Sequence, residues 1–129
     1  MPENVRYITP EDVPPPTGSA YTPVAVAGGF VYVCGQIPRD AAGNLAGDDF
    51  ESQARQVFTN MERCLAAAGA TFDDVIKVNG FLKDFSADFK AFNEIYLETF
   101  SAPLPVRTTV PSALTSIKLE IECIAYVGD

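Results

Sequence analysis

"DFESQARQVFTNMERCLAAAGA", residues Asp49–Ala70, is the clearest helical pattern in the chain. Its apolar side chains recur every three or four residues, which is the spacing of the buried stripe on a surface helix. The stripe contains Phe50, Ala54, Val57, Phe58, Met61, Leu65 and Ala68. Asp48 or Asp49 suits the N-cap, and Gly69 suits the left-handed residue that ends such a helix. The segment therefore predicts a helix that lies on an apolar surface.

Strand patterns flank this helix on both sides. Before it, residues 21–38 read as two short strands joined by the turn AGG. The elements predicted after it are a strand in residues 74–84, a helix in residues 85–100, and strands in residues 106–110 and 118–127. The order ββαβαββ predicts an α+β fold in which a mixed sheet is covered on one face by two helices. Residues 1–129 are expected to form one domain, with a proline-rich, extended or turning segment in residues 1–20.

Several side chains are expected to face the core. In the second helix, Ser86 suits the N-cap, and the aromatic stripe is interpreted as core packing: Phe89, Phe92, Tyr96 and Phe100. In the strand that precedes it, the residues predicted to share one face are Ile76, Val78 and Leu82. Cys64 and Cys123 fall in a helical and a strand pattern, so both are interpreted as buried thiols.

The other face of the predicted sheet mixes polar and large apolar side chains. It is expected to carry Lys118, Glu120, Glu122, Ile124 and Tyr126 of the last strand, Tyr32, Cys34 and Gln36 of the second, and Lys77, Asn79 and Phe81 of the third. Such a face is more apolar than one that is freely solvated. We therefore expect a homo-oligomer, with binding sites at the edge of the subunit interface.

Composition excludes several classes of function. The formal charge of −8 disfavours nucleic acid and membrane surfaces as partners. The chain contains no histidine, which removes the Ser-His-Asp and Cys-His catalytic sets and the usual zinc sites. The phosphate-binding glycine motifs and the EF-hand loop are also missing from the sequence. The remaining chemistry rests on arginine, carboxylates, hydroxyls, amides, thiols, lysine or backbone groups.

The sequence also suggests a cellular location. Acids and prolines interrupt the first residues where a signal peptide needs an apolar core, and no apolar run is long enough to span a membrane. Three cysteines, Cys34, Cys64 and Cys123, are widely spaced without a CxxC pair, as expected of reduced thiols. These features predict a cytoplasmic protein.

A single arginine lies inside the strand pattern LPVRTTV, residues 104–110. An unpaired buried charge costs several kcal/mol, so Arg107 needs a partner or access to water. The residues alone leave three alternatives open: Arg107 reaches solvent, it pairs with a protein carboxylate such as Glu120 or Glu122 at the subunit interface, or it receives an anion from a ligand.

Four segments, taken together and in order, resemble the RidA/YjgF family. They are VYVCGQIP followed by QARQVFTNMERCLAAAGA, then DVIKVNGFLKDFSADFKAFNEIY, then PVRTTV, then LEIECIA, within residues 21–126. The resemblance implies a chorismate-mutase-like fold, a homotrimer with ligand pockets between subunits, and no cofactor. It also implies hydrolysis of reactive enamines and imines such as 2-aminoacrylate to 2-keto acids and ammonia.

The resemblance assigns roles to individual residues. Arg107 matches the arginine that clamps the substrate carboxylate, and Glu120 matches the glutamate that orients or activates the attacking water. The residues that match the rest of the family's substrate pocket are Tyr21, Cys34, Gly35, Asn93 and Thr109. Cys34 is not expected to be a nucleophile, because its neighbouring sequence offers no cation to lower its pKa.

Departures from the family pattern surround the pocket. The family's PART is PVRT here, YSQA is YTPV, EVARLP is PSALTS, and the connection from Arg107 to Glu120 is two residues shorter. Because of these changes, the resemblance does not determine which substrate the chain acts on. The alternatives are a 2-aminomuconate-type deaminase of aromatic catabolism, or a non-catalytic trimer that binds keto acids or partner proteins; a ribonuclease is the third.

Overall fold

The computed structural model describes residues 3–128, which form one six-stranded sheet with two helices on one face. The strands are β1 Val5–Ile8, β2 Val24–Ala27, β3 Phe30–Gln36, β4 Val75–Leu82, β5 Val106–Pro111 and β6 Leu119–Tyr126. The helices are α1 Phe50–Ala67 and α2 Phe85–Thr99. The sheet order is β1-β2-β3-β6-β4-β5, and only the β4–β5 pair is parallel. The predicted mixed sheet with two covering helices is confirmed.

The predicted element order missed the first strand. Val5–Ile8 pairs antiparallel with β2, placing Arg6 opposite Val26, so the order is βββαβαββ. The strand is four residues long and lies at the edge of the sheet. Prolines follow it closely in the sequence, and this composition led to the prediction of an extended or turning segment without a sheet partner.

Helix α1 agrees closely with its sequence pattern. Asp49 is the N-cap, and its side chain accepts a hydrogen bond of 2.9 Å from the backbone N–H of Ser52. All seven residues of the predicted apolar stripe are buried. Gly69 adopts φ of +78°, the left-handed conformation that glycine reaches without strain. The helix therefore presents one continuous apolar face to the sheet.

Helix α2 begins one residue before the predicted N-cap. Asp84 is the N-cap, and its side chain accepts a hydrogen bond of 3.2 Å from the backbone N–H of Ala87. Ser86 lies within the first turn, so its predicted role as N-cap was wrong. Both residue types cap helices well, and the carboxylate occurs earlier in the chain.

The core between helices and sheet follows the alternation of β6. Its side chains that face the helices are all buried, and they are Leu119, Ile121, Cys123 and Ala125. Cys64 of α1 is fully buried as well, so both predicted core thiols are confirmed. Three of the four aromatic side chains predicted to pack in the core are buried, and Phe89 is half-buried.

Two register shifts change the faces predicted for single residues. The pairing of β3 with β6 shifts between Val33 and Gln36, and Gln36 is consequently buried instead of sharing the open face with Tyr32. The pairing of β4 with β6 shifts between Val75 and Lys77, so Val75 is buried and Ile76 is 45% exposed. An irregularity of this kind breaks the strict alternation on which the predictions rested.

Buried amide side chains of α1 hold two loops against the helix. The Nδ2 group of Asn60 donates to the carbonyl oxygens of Ile37 and Arg39, each at 2.9 Å. Gln53 donates to the Gly47 carbonyl at 2.8 Å and accepts from the backbone N–H of Lys118 at 2.9 Å. These contacts fix the loop after β3 and the residue that precedes β6.

Within residues 3–128, neither helix combines the length and the hydropathy that crossing a bilayer requires.

Replacing Asn60 by alanine leaves the Ile37 and Arg39 carbonyl groups without their side-chain donor. We expect the free energy of unfolding to fall by about 1–3 kcal/mol. Thr59→Ala, at an exposed position of the same helix, is the control and should change it by less than about 0.5 kcal/mol. Urea denaturation at one fixed protein concentration measures both, and equal losses in the two variants would contradict the anchoring role of Asn60.

Candidate active site

Arg107 lies on β5 with its side chain on the helix-covered face of the sheet. Its Cζ atom lies 4.7 Å from the ring centroid of Tyr96, 5.1 Å from that of Phe92 and 5.8 Å from that of Phe89. All three rings belong to α2. The helix therefore provides the surface on which the guanidinium rests.

The guanidinium has an amide partner and no carboxylate partner. Its Nη2 atom donates to Oδ1 of Asn93 at 2.7 Å. In the part of the chain that the structure describes, the ion pairs involve Arg55 and Arg63 but not Arg107. Within residues 3–128 of one chain, Arg107 therefore does not pair with Glu120 or Glu122. The remaining alternatives for the partner of its guanidinium are solvent, a ligand anion or a group from another molecule.

A cavity of about 320 Å³ opens beside Arg107. Its walls are Asn93, Tyr96, Leu97, Leu104 and Pro105. Thr109, two residues further along β5, is half-buried on the same face as Arg107. Its hydroxyl oxygen is buried and has no hydrogen-bond partner among the described residues. We call Arg107, Asn93, Tyr96 and Thr109 the arginine half-site.

Glu120 lies on the opposite, open face of the sheet. Its carboxylate packs against Gly35, and a Cβ atom placed on Gly35 would lie only 2.8 Å from Cδ of Glu120. The missing side chain at position 35 is thus what makes room for the acid. Tyr21 is 47% exposed, and it lines a small depression together with Cys34 and Gly35.

A second acid accompanies Glu120. Oε1 of Glu122 accepts a hydrogen bond of 3.1 Å from Nδ2 of Asn79. Glu122, Asn79 and Cys34 line a cavity of about 300 Å³ on the open face. We call Glu120, Glu122, Tyr21, Cys34 and Gly35 the glutamate half-site.

Burial controls the acid–base properties of the glutamate half-site. It raises the pKa of Glu120 above its ordinary value, and the nearby charge of Glu122 raises it further. Burial also raises the pKa of Cys34, with smaller contributions from Glu120 and Glu122. A thiol held protonated in this way is a poor nucleophile, which agrees with the sequence interpretation of Cys34.

The sheet separates the two half-sites within one chain. Across β4, Arg107 is in register with Val78, whereas Glu120 is in register with Phe81. Two strand spacings and three residue rises place the Cα atoms of Arg107 and Glu120 about 14 Å apart. Since their side chains also leave opposite faces, one chain does not present both to a single small substrate.

The structure therefore divides the seven predicted site residues into two groups. Asn93 and Thr109 accompany Arg107, while Tyr21, Cys34 and Gly35 accompany Glu120. Sequence reasoning did not assign a site role to Tyr96 or Glu122. The alternation of β6 already placed Glu122 beside Glu120, whereas no local signal in the sequence indicated that the ring of Tyr96 faces Arg107.

Comparison with known proteins identifies the family. A family model described as endoribonuclease L-PSP matches residues 12–127. The chain belongs to the RidA/YjgF family. The match spans both half-sites, and the resemblance of the four sequence segments is confirmed.

Relatives of this RidA/YjgF-family chain include named deaminases. A RutC family protein of Pyrococcus horikoshii is 40% identical over 94% of this chain and 97% of its own. A 2-iminobutanoate/2-iminopropanoate deaminase of Dermatophagoides farinae is 36% identical over 95% of this chain and 96% of its own length. The crystal structure of RidA from an Antarctic Psychrobacter matches with a TM-score of 0.88 at 34% identity, covering 95% of this chain and 99% of that one.

Other relatives are named as mitochondrial in Saccharomyces cerevisiae and chloroplastic in Arabidopsis thaliana. The family therefore occurs in more than one compartment. The cytoplasmic location of this chain stays a prediction.

The effect of the Glu122 charge on the pKa of Glu120 can be measured. Glu122→Gln removes the charge beside Glu120 and keeps an oxygen that accepts from Asn79, so we expect the pKa of Glu120 to fall toward its ordinary value. NMR titration of the ¹³C-labelled side-chain carboxyl groups measures it. Because a raised pKa means that the folded chain holds the proton more tightly, Glu120 favours folding at low pH and loses that contribution as the pH rises through its pKa. A pKa of Glu120 that is the same in both proteins would contradict the coupling.

Proposed function

We propose that this RidA/YjgF-family chain is an enamine/imine deaminase acting on small carboxylate-bearing substrates of the 2-aminoacrylate type. The products are a 2-keto acid and ammonia. The observation that carries the proposal is the guanidinium of Arg107, which has an amide partner, no carboxylate partner among residues 3–128, and an adjacent cavity. A cation in this state is suited to receive an anion.

Arg107 binds the substrate carboxylate in this mechanism. A guanidinium offers two parallel N–H donors that match the two carboxylate oxygens, and the charge strengthens both hydrogen bonds. Fixing the acid end also fixes the neighbouring C=N carbon relative to a water molecule. Such positioning contributes several kcal/mol to lowering a barrier.

Glu120 serves as the acid–base group. The enamine first tautomerises to the imine, and solvent protonates the imine nitrogen. As water attacks the iminium carbon, the Glu120 carboxylate accepts a proton from the water, which gives a neutral carbinolamine. Glu120 returns this proton to the amine nitrogen and then accepts the hydroxyl proton as the C–N bond breaks, which leaves a ketone and ammonia. Glu120 finally releases that proton to solvent. A raised pKa suits a group that takes up and returns a proton near neutral pH. The reaction requires no cofactor, because a protonated imine carbon is already electrophilic.

The complete site is proposed to form between copies of the chain. Arg107 and Glu120 leave opposite faces of one sheet, so a cleft that contains both needs the arginine half-site of one copy and the glutamate half-site of another. The open face also exposes Tyr32 and Tyr126, each by nearly half of its surface. Large aromatic side chains on such a face favour a subunit interface. We propose a cyclic homotrimer, as the family resemblance implies.

A larger substrate is the alternative within the same reaction. Leu97, Leu104 and Pro105 extend the cavity beside Arg107 with apolar surface, which leaves room for a dienamine of the 2-aminomuconate type. The description endoribonuclease attached to the family model finds no support in the net charge of −8. The cytoplasm is the proposed location, and neither nucleic acid nor a membrane is a proposed partner.

Arg107→Lys keeps the positive charge and removes the two-pronged donor. We expect kcat/KM for the preferred substrate to fall about 10- to 100-fold, which is the loss of one or two charged hydrogen bonds. Ammonia and keto-acid release from freshly generated 2-aminoacrylate and from 2-aminomuconate measure it and identify the preferred substrate class. Arg55→Lys, an exposed arginine that contacts neither half-site, is the control.

Absence of turnover above buffer with either compound, in folded wild-type protein, would overturn the deaminase proposal. A protein that still binds pyruvate in that case would be the non-catalytic carboxylate binder. Equal turnover by wild type and Arg107→Lys would instead contradict the carboxylate clamp.

Mixed oligomers test whether the site is shared. Arg107→Ala and Glu120→Gln are each expected to be nearly inactive alone. Co-expressed in equal amounts, they regain both side chains in about a quarter of the sites if each site takes its two residues from neighbouring copies. Activity of the co-expressed mixture that does not exceed the mean of the separate variants would contradict a shared site. An active Glu120→Gln variant would contradict the role of Glu120.

A further inference from the structure

We propose that the aromatic face of α2 positions the proposed carboxylate clamp. This face, defined by Phe89, Phe92 and Tyr96, supports the guanidinium of Arg107 so that its in-plane donors remain directed at the adjacent cavity. The inference rests on the proposed function for its chemical meaning. It adds Phe89 and Phe92 as positioning residues outside the cavity lining, and it gives the ring of Tyr96, a wall of the cavity, a second role.

We call the three rings of Phe89, Phe92 and Tyr96 the cradle of Arg107. Their geometry indicates more than an incidental contact. The Cζ atom of Arg107 lies within 5.8 Å of all three ring centroids, inside the range in which a cation is attracted to an aromatic face. Phe92 and Tyr96 are almost fully buried, with 0% and 3% of their surface exposed. Rings held this firmly give the cation a fixed surface.

Asn93 completes the support from the same helix. Phe89 and Asn93 are four residues apart, as are Phe92 and Tyr96, so two neighbouring rows of α2 converge on Arg107. The amide oxygen of Asn93 accepts from one Nη2 N–H at 2.7 Å. A guanidinium has five N–H donors, and they lie in the plane of the group rather than on its faces. Within residues 3–128 the hydrogen bond to Asn93 is the one side-chain hydrogen bond of the guanidinium, which leaves other donors for a carboxylate.

The ring of Tyr96 is the relevant part, not its hydroxyl. The hydroxyl oxygen is buried and has no hydrogen-bond partner among the described residues. Burial raises the pKa of Tyr96, the positive charge of Arg107 lowers it, and Cys123 raises it. The contribution of Tyr96 to the support of Arg107 is therefore its ring, whose centroid lies 4.7 Å from Cζ of Arg107.

Weakening the cradle is expected to lower affinity for carboxylates more than it lowers the rate of the chemical step. A mobile guanidinium must be ordered each time an anion binds, and this cost is the same in the ground state and the transition state. KM and the Kd for a carboxylate product should rise together while kcat changes little. A merely structural loss would lower the amount of active protein and leave both KM and Kd unchanged.

The experiment compares Phe89→Leu with one matched control variant. Phe89 is half-buried, so its replacement is expected to fold, whereas a leucine at the buried position 96 carries a risk of misfolding. Phe72→Leu is the control, because Phe72 is also half-buried and packs on Phe58 and Phe100. Kd for pyruvate by NMR titration and KM for 2-aminoacrylate are measured for each.

We expect Phe89→Leu to raise Kd and KM about five- to tenfold, the range for a partly desolvated cation–π contact. Phe72→Leu should stay within about twofold of wild type. An unchanged Kd in Phe89→Leu, an equal rise in Phe72→Leu, or no pyruvate binding by the wild type would overturn the cradle.

The measurements of pyruvate binding and of imine hydrolysis distinguish a failure of this inference from a failure of the proposed function. If wild type binds pyruvate but hydrolyses no imine, and Phe89→Leu weakens that binding, the deaminase proposal fails and the cradle stands. If wild type hydrolyses 2-aminoacrylate and Phe89→Leu leaves Kd and KM unchanged, the cradle fails and the deaminase proposal stands.

Discussion

The alternation of side chains along β6 is the constraint on which the rest of the structure depends. Leu119 and Ile121 are fully buried against the helices, so Glu120 between them must leave the other face of the sheet. A slip of one residue would turn the carboxylates of this strand into the core, where an uncompensated charge costs several kcal/mol. The apolar core thereby fixes the position of an acid that it never contacts, and Gln53 holds the backbone of Lys118 just before the strand begins.

The same constraint places Arg107 and Glu120 on opposite faces of the sheet. Arg107 lies on the helix face of β5 because its support, α2, packs there, and Glu120 lies on the open face because its strand neighbours fill the core. Neither side chain can change face without disrupting the packing of its own strand. A reaction that needs both groups at one substrate therefore depends on association of chains.

Much of this fold can be predicted from the sequence, but not its irregularities. The stripe and caps of α1 are local signals with a period of 3.6 residues, and they agreed with the structure because each depends only on neighbours in the chain. Gln36 and Ile76 were assigned to the wrong faces because register shifts in β3 and β4 leave no mark in composition. β1 was missed because its pairing with β2 is non-local, and a four-residue strand offers too little alternation to reveal it. For the site, the sequence named Arg107 and Glu120 as candidates, but it did not reveal that they lie on opposite faces of the sheet, because that separation depends on which face the helices cover.

The aromatic stripe of α2 shows why a correct structural interpretation can still be incomplete. Phe92 and Tyr96 are core residues by burial, as predicted, and the same rings present a face to Arg107. Taking a guanidinium partly out of water has a cost that one amide and three rings offset only in part. Placing a protein carboxylate against Arg107 would complete the compensation, and it would also occupy the site. Within residues 3–128 the cation is supported but has no carboxylate partner, so the proposed clamp keeps its charge available for the carboxylate of a substrate.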